Sequence, residues 1–191
     1  MKPKALQVVQ DEHVAVAAML RSMLALLRRS RDDGKPPPFD VLRAMLFYVD
    51  EFPERLHHTK ETELLFPKVR QRCPELAPVI DALDADHGRG EAAIRQLEHL
   101  MLAYEVMGES RREPFEQAVQ RYVERYLEHM ATEDDKILPA ARTHLSEQDW
   151  SELNAAFESN RDPLTGHPAS AEYADLFRQI VNRAPAPIGL G

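Results

Sequence analysis

The chain has 191 residues, of which 43% are apolar, and a formal net charge of −8. A chain of this length normally folds as one domain with a substantial core, and its content of only seven glycines favours helices. The negative charge argues against nucleic acid as the main partner, because duplex binding requires a concentrated Lys and Arg surface.

The predicted secondary structure is helical throughout. Apolar residues recur at steps of three and four in four long segments, and two shorter helices follow them. Breaks are predicted at 31–38, at Pro74 and at Gly108, and Pro53 and Pro67 should distort the second helix. The long helices are predicted at 5–30, 40–73, 75–107 and from 114 to beyond 137, and the short ones at 150–159 and 169–183.

These elements predict an all-α fold, an antiparallel up-down four-helix bundle with two additional short C-terminal helices. Residues 1–145 would form the bundle. Residues 146–184 would form a helical extension, packed on the bundle or at an interface such as that of a homodimer, and Ser146 with Asp149 resembles a capping box at its start. Residues 185–191, rich in Pro and Gly, would form a flexible tail.

The single cysteine, Cys73, excludes an internal disulfide and a thiolate metal cage. No apolar run approaches the roughly 18 residues of a membrane span. The N-terminus becomes acidic before any signal-peptide core could form. We therefore expect a cytoplasmic protein with no membrane partner.

Histidine occupies a position on the apolar stripe of each long helix. The second and the fourth of these histidines are each paired with a glutamate four residues later, which places it on the same helix face. Their spacings are similar, 44 residues within the first pair and 42 within the second, so the chain resembles two equivalent hairpins. The residues are His13, His57 with Glu61, His87, and His129 with Glu133.

In an up-down bundle these six side chains should converge. At about 1.5 Å per residue, the rise from His13 to the end of its helix roughly equals the descent along the next helix to His57, and the second hairpin is similar. Two unpaired glutamates in a core would cost roughly several kcal/mol each, and a dinuclear cation removes that cost. Imidazole and carboxylate ligands favour iron, with manganese or zinc as substitutes.

Other polar residues near the stripes receive lesser roles. Glu91, four residues after His87, could be an additional ligand, a hydrogen-bond acceptor outside the ligand set, or a residue at the edge of the apolar stripe. We favour the last two over direct ligation. Tyr122 and Tyr126 are core aromatics that could also hydrogen-bond to a metal centre or give it an electron. The remaining histidines, which we expect to be solvated, are His58, His99, His144 and His167.

The pattern H…HxxxE…H…HxxxE, with Leu-Phe-Pro after the first pair, resembles the hemerythrin-like, or HHE cation-binding, family over about residues 6–142. The resemblance implies a four-helix bundle with a non-haem diiron centre. The four stripe histidines would be terminal ligands. Glu61 and Glu133 would bridge two iron ions together with an oxo or hydroxo group.

Two departures from the oxygen-carrying hemerythrins are informative. Those proteins have a fifth histidine and an aspartate bridge where this chain has Glu91 and Glu133. The four-His, two-Glu set is closer to bacterial hemerythrin-like proteins, which argues against simple reversible O₂ carriage. Ferritin-like diiron proteins, the nearest alternative, need Glu-x-x-His twice, and only Glu54 with His57 matches.

The sequence thus predicts a diiron protein that binds or redox-processes a small ligand, namely O₂, NO or peroxide, in iron handling or stress response. Whether it turns over as a diiron oxidoreductase is left open. The alternatives are an iron- or oxygen-sensing module without turnover and a metal-free helical scaffold. The scaffold would leave Glu61 and Glu133 unexplained.

Overall fold

Four long helices form an antiparallel up-down bundle, as the apolar stripes predict. The computed structural model describes residues 3–191, except for the side chain of Glu91, and contains no strand within that range. Gly108, with a φ of 79°, ends the third helix where the sequence predicts it. The helices are α1 (Lys4–Asp32), α2 (39–72), α3 (Ala77–Met107) and α4 (112–144).

The second and fourth helices are continuous but contain π-helical turns. Proline lacks an N–H group and its ring crowds the carbonyl four residues earlier, so a widened turn accommodates it without ending the helix. The distortion predicted at Pro53 and Pro67 is therefore a local change of pitch. The widened turns are Asp50–His57 and Glu61–Leu65 in α2, and Glu133–Ile137 in α4.

The buried apolar side chains form two clusters, one on each side of a polar layer. In α1, for example, Val9 belongs to one cluster and Val16 to the other, with His13 between them. The same order, reversed in direction, occurs in α2, where Phe52 and Leu65 flank the histidines. The apolar clusters thus hold the helices together while leaving the middle of the bundle to polar groups.

Two C-terminal helices, α5 (Glu147–Phe157) and α6 (Ala174–Arg183), pack on the bundle. The first lies along α1 and the second along α2. The predicted capping box is present, since the Asp149 amide donates to Ser146 Oγ and the Ser146 amide donates to the Asp149 carboxylate. α6 begins later than predicted, because residues 171–173 form a turn.

The last residues, predicted to be a flexible tail, make specific contacts. The Ile188 amide donates to Ser22 Oγ at 2.9 Å, and the Leu190 amide donates to the Val181 carbonyl at 2.8 Å. Gly189 lies so close to the Ala184 carbonyl that a Cβ atom would collide with it. The tail is therefore packed against α1 and α6 in this structure.

Within residues 3–191, no helix combines the length and the hydropathy needed to cross a bilayer.

Candidate metal centre

The six residues selected from the sequence lie together in the polar layer. The ring centroids of His13 and His57 are 5.1 Å apart, and those of His87 and His129 are 4.7 Å apart. Glu61 is 0% exposed and Glu133 is 1% exposed. The four helices therefore bring two pairs of imidazoles to one depth, with two buried carboxylates among them.

Each carboxylate spans the two imidazole pairs. Glu61 Oε1 is 3.1 Å from His57 Nε2, and its other oxygen is 3.7 Å from His87 Nε2. Glu133 Oε2 is 3.3 Å from His13 Nε2, and its Oε1 is 3.3 Å from His129 Nε2. This is the placement that two bridging carboxylates between two cations require.

The inward-facing atoms of this layer are buried without hydrogen bonds. All four oxygens of Glu61 and Glu133 lack a hydrogen-bond partner among the described residues, and so do Nε2 of His13 and of His57. Buried polar groups are nearly always satisfied, so a cluster of six such atoms indicates a missing positive partner. Two ligands of one cation, each at about 2.1 Å, lie roughly 3 Å apart, and the separations above are close to that value.

Two overlapping groups of residues could each hold a cation. Within each group the ligand atoms all lie within 4.8 Å of one another. We call them the α1 half, because His13 belongs to it, and the α3 half, because His87 belongs to it. The α1 half comprises His13, His57, Glu61 and Glu133, and the α3 half comprises His58, Glu61, His87 and His129.

The prediction that His58 is solvated is wrong. This residue is 6% exposed, and its ring stacks on that of His87 with centroids 4.0 Å apart. Neighbouring residues of a helix point about 100° apart, so only His57 fits the apolar stripe of its helix. Glu61, however, follows His57 by four residues and His58 by three, and both spacings share a face. His99, His144 and His167 are exposed, as predicted.

His58 is held by two further polar side chains. Its Nδ1 is 3.1 Å from Glu54 Oε2, and its Nε2 is 3.0 Å from the hydroxyl of Tyr126. Tyr122 donates to the other oxygen of Glu54 at 2.9 Å. Both tyrosines are thus buried aromatics whose hydroxyls belong to the hydrogen-bond network beside the centre. The side chain of Glu91 lies outside the described part of the chain.

Three site imidazoles have a hydrogen-bonding partner on the nitrogen that points away from the centre. Such partners fix the ring orientation and tautomer of metal-binding histidines. Sequence analysis missed them, although each is adjacent in sequence to a residue of the site. The pairs are His57 Nδ1 with Glu12 at 2.7 Å, His13 Nδ1 with Asp134 at 3.1 Å, and His87 Nδ1 with Thr62 at 2.8 Å.

Both glutamates of the site begin a π-helical turn. Glu61 is the first residue of Glu61–Leu65, and Glu133 is the first residue of Glu133–Ile137. Each turn ends two residues before a proline, Pro67 or Pro139, and these two prolines occupy equivalent positions in the internal repeat. Turns of this kind are frequent at functional sites. The repeated proline therefore sets the local pitch at which each carboxylate enters the core.

The electrostatic environment differs between the two halves. In the α1 half, burial lowers the pKa of His13, but the carboxylates of Asp134 and Glu133 outweigh it and raise that pKa to about 9. In the α3 half, burial and the neighbouring imidazoles of His58 and His129 lower the pKa of His87 to about 2. His87 is therefore held neutral, which is the form that ligates a metal.

The two carboxylates also differ from each other. Burial raises the pKa of Glu61, and the negative charge of Glu133 raises it further. Burial also opposes ionisation of Glu133, but the neighbouring imidazoles of His129 and His13 outweigh it and hold the pKa of Glu133 well below the usual range. Without a cation, only one of the two is well compensated, so the pair favours a positive charge between them.

The segment between α5 and α6 reaches the α1 half. The Asn160 amide donates to Glu12 Oε2 at 3.1 Å, and the same oxygen accepts from His57 Nδ1. Lys60 donates to Ser159 Oγ and to the side chain of Asn160. The C-terminal extension therefore contributes to the outer hydrogen bonds of the centre.

We expect Asn160→Ala to accelerate loss of the ion from the α1 half about tenfold, because Glu12 then loses a restraint on its position. Metal release to a chromogenic chelator measures this rate. Ser159→Ala is the matched control, since it removes a contact to Lys60 but none to Glu12. Equal release rates in the two variants would contradict a role for Asn160 at the centre.

We expect His58→Ala to weaken binding of the second ion at least about tenfold while leaving the first ion bound. The physical reason is that the α3 half loses one of its three imidazoles. Isothermal titration calorimetry of the metal-free protein with iron(II) would resolve the two binding steps. His99→Ala, at an exposed position, is the control, and an unchanged second step in His58→Ala would remove that residue from the site.

Comparison with known proteins places the chain in a family context. A family model described as the hemerythrin HHE cation binding domain matches residues 4–141. Uncharacterised proteins of Mycobacterium bovis and of Mycobacterium tuberculosis are 25% identical over 153 residues, which is 80% of this chain and 59% of theirs. The chain thus spans about three fifths of the length of these relatives. No solved structure matches the chain significantly.

Proposed function

The chain belongs to the hemerythrin HHE cation-binding family, and on that premise we propose that it is a non-haem diiron protein that binds or redox-processes O₂, NO or a peroxide. The observation that carries the proposal is the pair of buried glutamates. Each directs one oxygen toward one imidazole pair and the other oxygen toward the other pair, and none of the four oxygens is hydrogen-bonded. Imidazole and carboxylate together suit iron, and they also accept manganese or zinc.

The residues present fit two cations. His13 and His57 would be terminal ligands of one ion, and His87 and His129, with His58 beside them, would serve the other. Glu61, which belongs to both halves, and Glu133, whose two oxygens face His13 and His129, would bridge the two. A bound diiron centre supplies the redox electrons and the open coordination position that a small ligand needs.

The chain's own residues orient and protect this centre. Glu12 and Asp134 hold the imidazoles of the α1 half in place. Two apolar clusters exclude water from both ends of the polar layer. In the α3 half, the hydroxyl of Tyr126 lies beside His58, where it can donate a hydrogen bond or a proton toward the ligand side.

We also propose a role in iron handling or stress response in the cytoplasm. The family supports the role. The acidic composition and the single cysteine support the location. The relatives at hand are uncharacterised and extend beyond this chain, so the activity of the whole protein is part of the proposal.

A second candidate is a sensor without turnover. The link from His57 through Glu12 to Asn160 supports it, because loading of the metal site would order the segment that joins α5 to α6. Hydrogen exchange distinguishes the two candidates. Metal-dependent protection of 158–165 without consumption of ligand favours the sensor, and rapid consumption favours the redox protein.

The test of the first candidate uses aerobically purified protein. We expect about two irons per chain by elemental analysis and the absorption bands of an oxo-bridged pair. Mixing the reduced protein with O₂, NO or hydrogen peroxide in a stopped-flow instrument should change these bands within seconds. His57→Ala/His129→Ala should lack both the metal and the response, and equal iron content in wild type and this variant would refute the proposal.

A further inference from the structure

A cavity of about 180 Å³ lies between α3 and α4, beside the α3 half of the metal centre. Three imidazoles line its inner side, and three arginines line its outer side. The α1 half faces a much smaller space of about 10 Å³. Of these two spaces among the described residues, the one beside the α3 half therefore has room for a molecule larger than a diatomic ligand.

Small residues create this space. Ala93 of α3 and Ala118 of α4 line it where larger apolar side chains would fill a helix interface. Gly90 lines it too, and a Cβ atom there would collide with the carboxylate of Glu54. Leu97 and the ring of Tyr122 complete an apolar wall.

The size of the cavity fits one ring. An engineered apolar cavity of about 150 Å³ binds benzene, whereas a water molecule occupies about 30 Å³ of liquid volume. A cavity of about 180 Å³ is therefore several times larger than O₂, NO or peroxide needs, and slightly larger than a benzene site.

The charged side chains at the outer side of the cavity favour a negatively charged ligand. Arg89 and Arg125 share one carboxylate, Asp86. Arg121 also lines the cavity, and no carboxylate of the described residues lies within ion-pairing distance of it. Glu54, on the inner side, already accepts a hydrogen bond from Tyr122 and contacts His58. The outer side thus carries an excess of guanidinium groups, which pair well with carboxylates.

We propose that this cavity binds a small aromatic carboxylate, with the ring against Ala93, Leu97 and Ala118 and the carboxylate on Arg121. The aromatic carboxylate would be an organic substrate or effector of the diiron protein. Only the presence of iron beside the cavity rests on the proposed function. Binding of the ring requires the cavity alone, and binding of the carboxylate requires the arginine.

Calorimetric titration of the metal-loaded protein with benzoate, and separately with benzyl alcohol, tests the proposal. We expect saturable benzoate binding in wild type. Ala93→Leu should abolish binding of both probes, because the added carbons occupy the ring's position. Arg121→Gln should weaken benzoate about tenfold and leave benzyl alcohol unchanged, since only the charged hydrogen bonds are lost.

The matched control is Ala92→Leu, an exposed alanine next to Ala93 on the same helix, which should bind benzoate like wild type. No benzoate binding in wild type, or equal binding in wild type and Ala93→Leu, would overturn the proposal. Iron content is measured on the same samples. Absence of iron would refute the proposed function, whereas the response to Ala93→Leu decides the cavity proposal separately.

Discussion

Removal of the metal with a chelator is expected to lower the melting temperature by roughly 10 °C. A ligand present at about 1,000 times its Kd stabilises the folded state by about 4 kcal/mol, and about 1 kcal/mol shifts a domain of this size by 2–4 °C. The structural reason is that the metal-free layer buries Glu61 and Glu133 without hydrogen bonds. Differential scanning calorimetry of the loaded and stripped protein measures the shift.

The control for this experiment is Glu61→Gln/Glu133→Gln, which keeps the shape of both side chains and removes both charges. Its melting temperature should not respond to added iron(II), because the bridging ligands are gone. A wild-type protein that melts at the same temperature with and without metal would show that the buried carboxylates are compensated within the chain.

Loss of one bridging carboxylate is expected to empty both halves of the centre, whereas loss of one terminal imidazole should empty only its own half. Glu133 faces His13 with one oxygen and His129 with the other, so Glu133→Ala removes a ligand from each ion. His13→Ala removes a ligand from the α1 half alone. Elemental analysis should therefore give close to zero ions per chain for the first variant and about one for the second.

Circular dichroism of both variants separates loss of metal from loss of fold. Glu133→Gln, which is closer in shape, should behave like Glu133→Ala in metal content. If either Glu133 variant kept a full complement of metal, the carboxylate would not bridge. If His13→Ala lost both ions as completely as Glu133→Ala, the two halves would not be separable.

The two halves of the centre differ in their surroundings. The α1 half is bordered by Asn160 and by the carboxylates of Glu12 and Asp134. The α3 half adjoins His58, the hydroxyl of Tyr126 and the cavity of about 180 Å³. Of the two halves, the second is thus the one that adjoins the larger space.

The bundle and the meeting of the six side chains could be predicted because they follow from local rules. Periodic apolar residues define the helices, and helix length sets the depth of each histidine. For example, the length of α1 after His13 nearly equals the length of α2 before His57, so the two side chains lie at the same depth. The capping box at Ser146 was also predictable, since it depends only on residues three apart.

The remaining features depend on long-range packing. His58 was missed because periodicity assigns one face to each helix, whereas α2 contacts both α1 and α3 and uses adjacent residues toward each. Asn160 reaches Glu12 across 148 residues, and no pattern in the sequence relates the two. The cavity requires Ala93 and Ala118 to face each other, which depends on the rotation of α3 relative to α4.

The most direct test of a carboxylate-bridged dinuclear centre is native mass spectrometry of the iron-loaded chain. We expect the chain to carry two metal ions, and to lose both when Glu61 and Glu133 are replaced by glutamine. A wild-type chain that carries no ion or a single one, or a double variant that still carries two, would contradict the account.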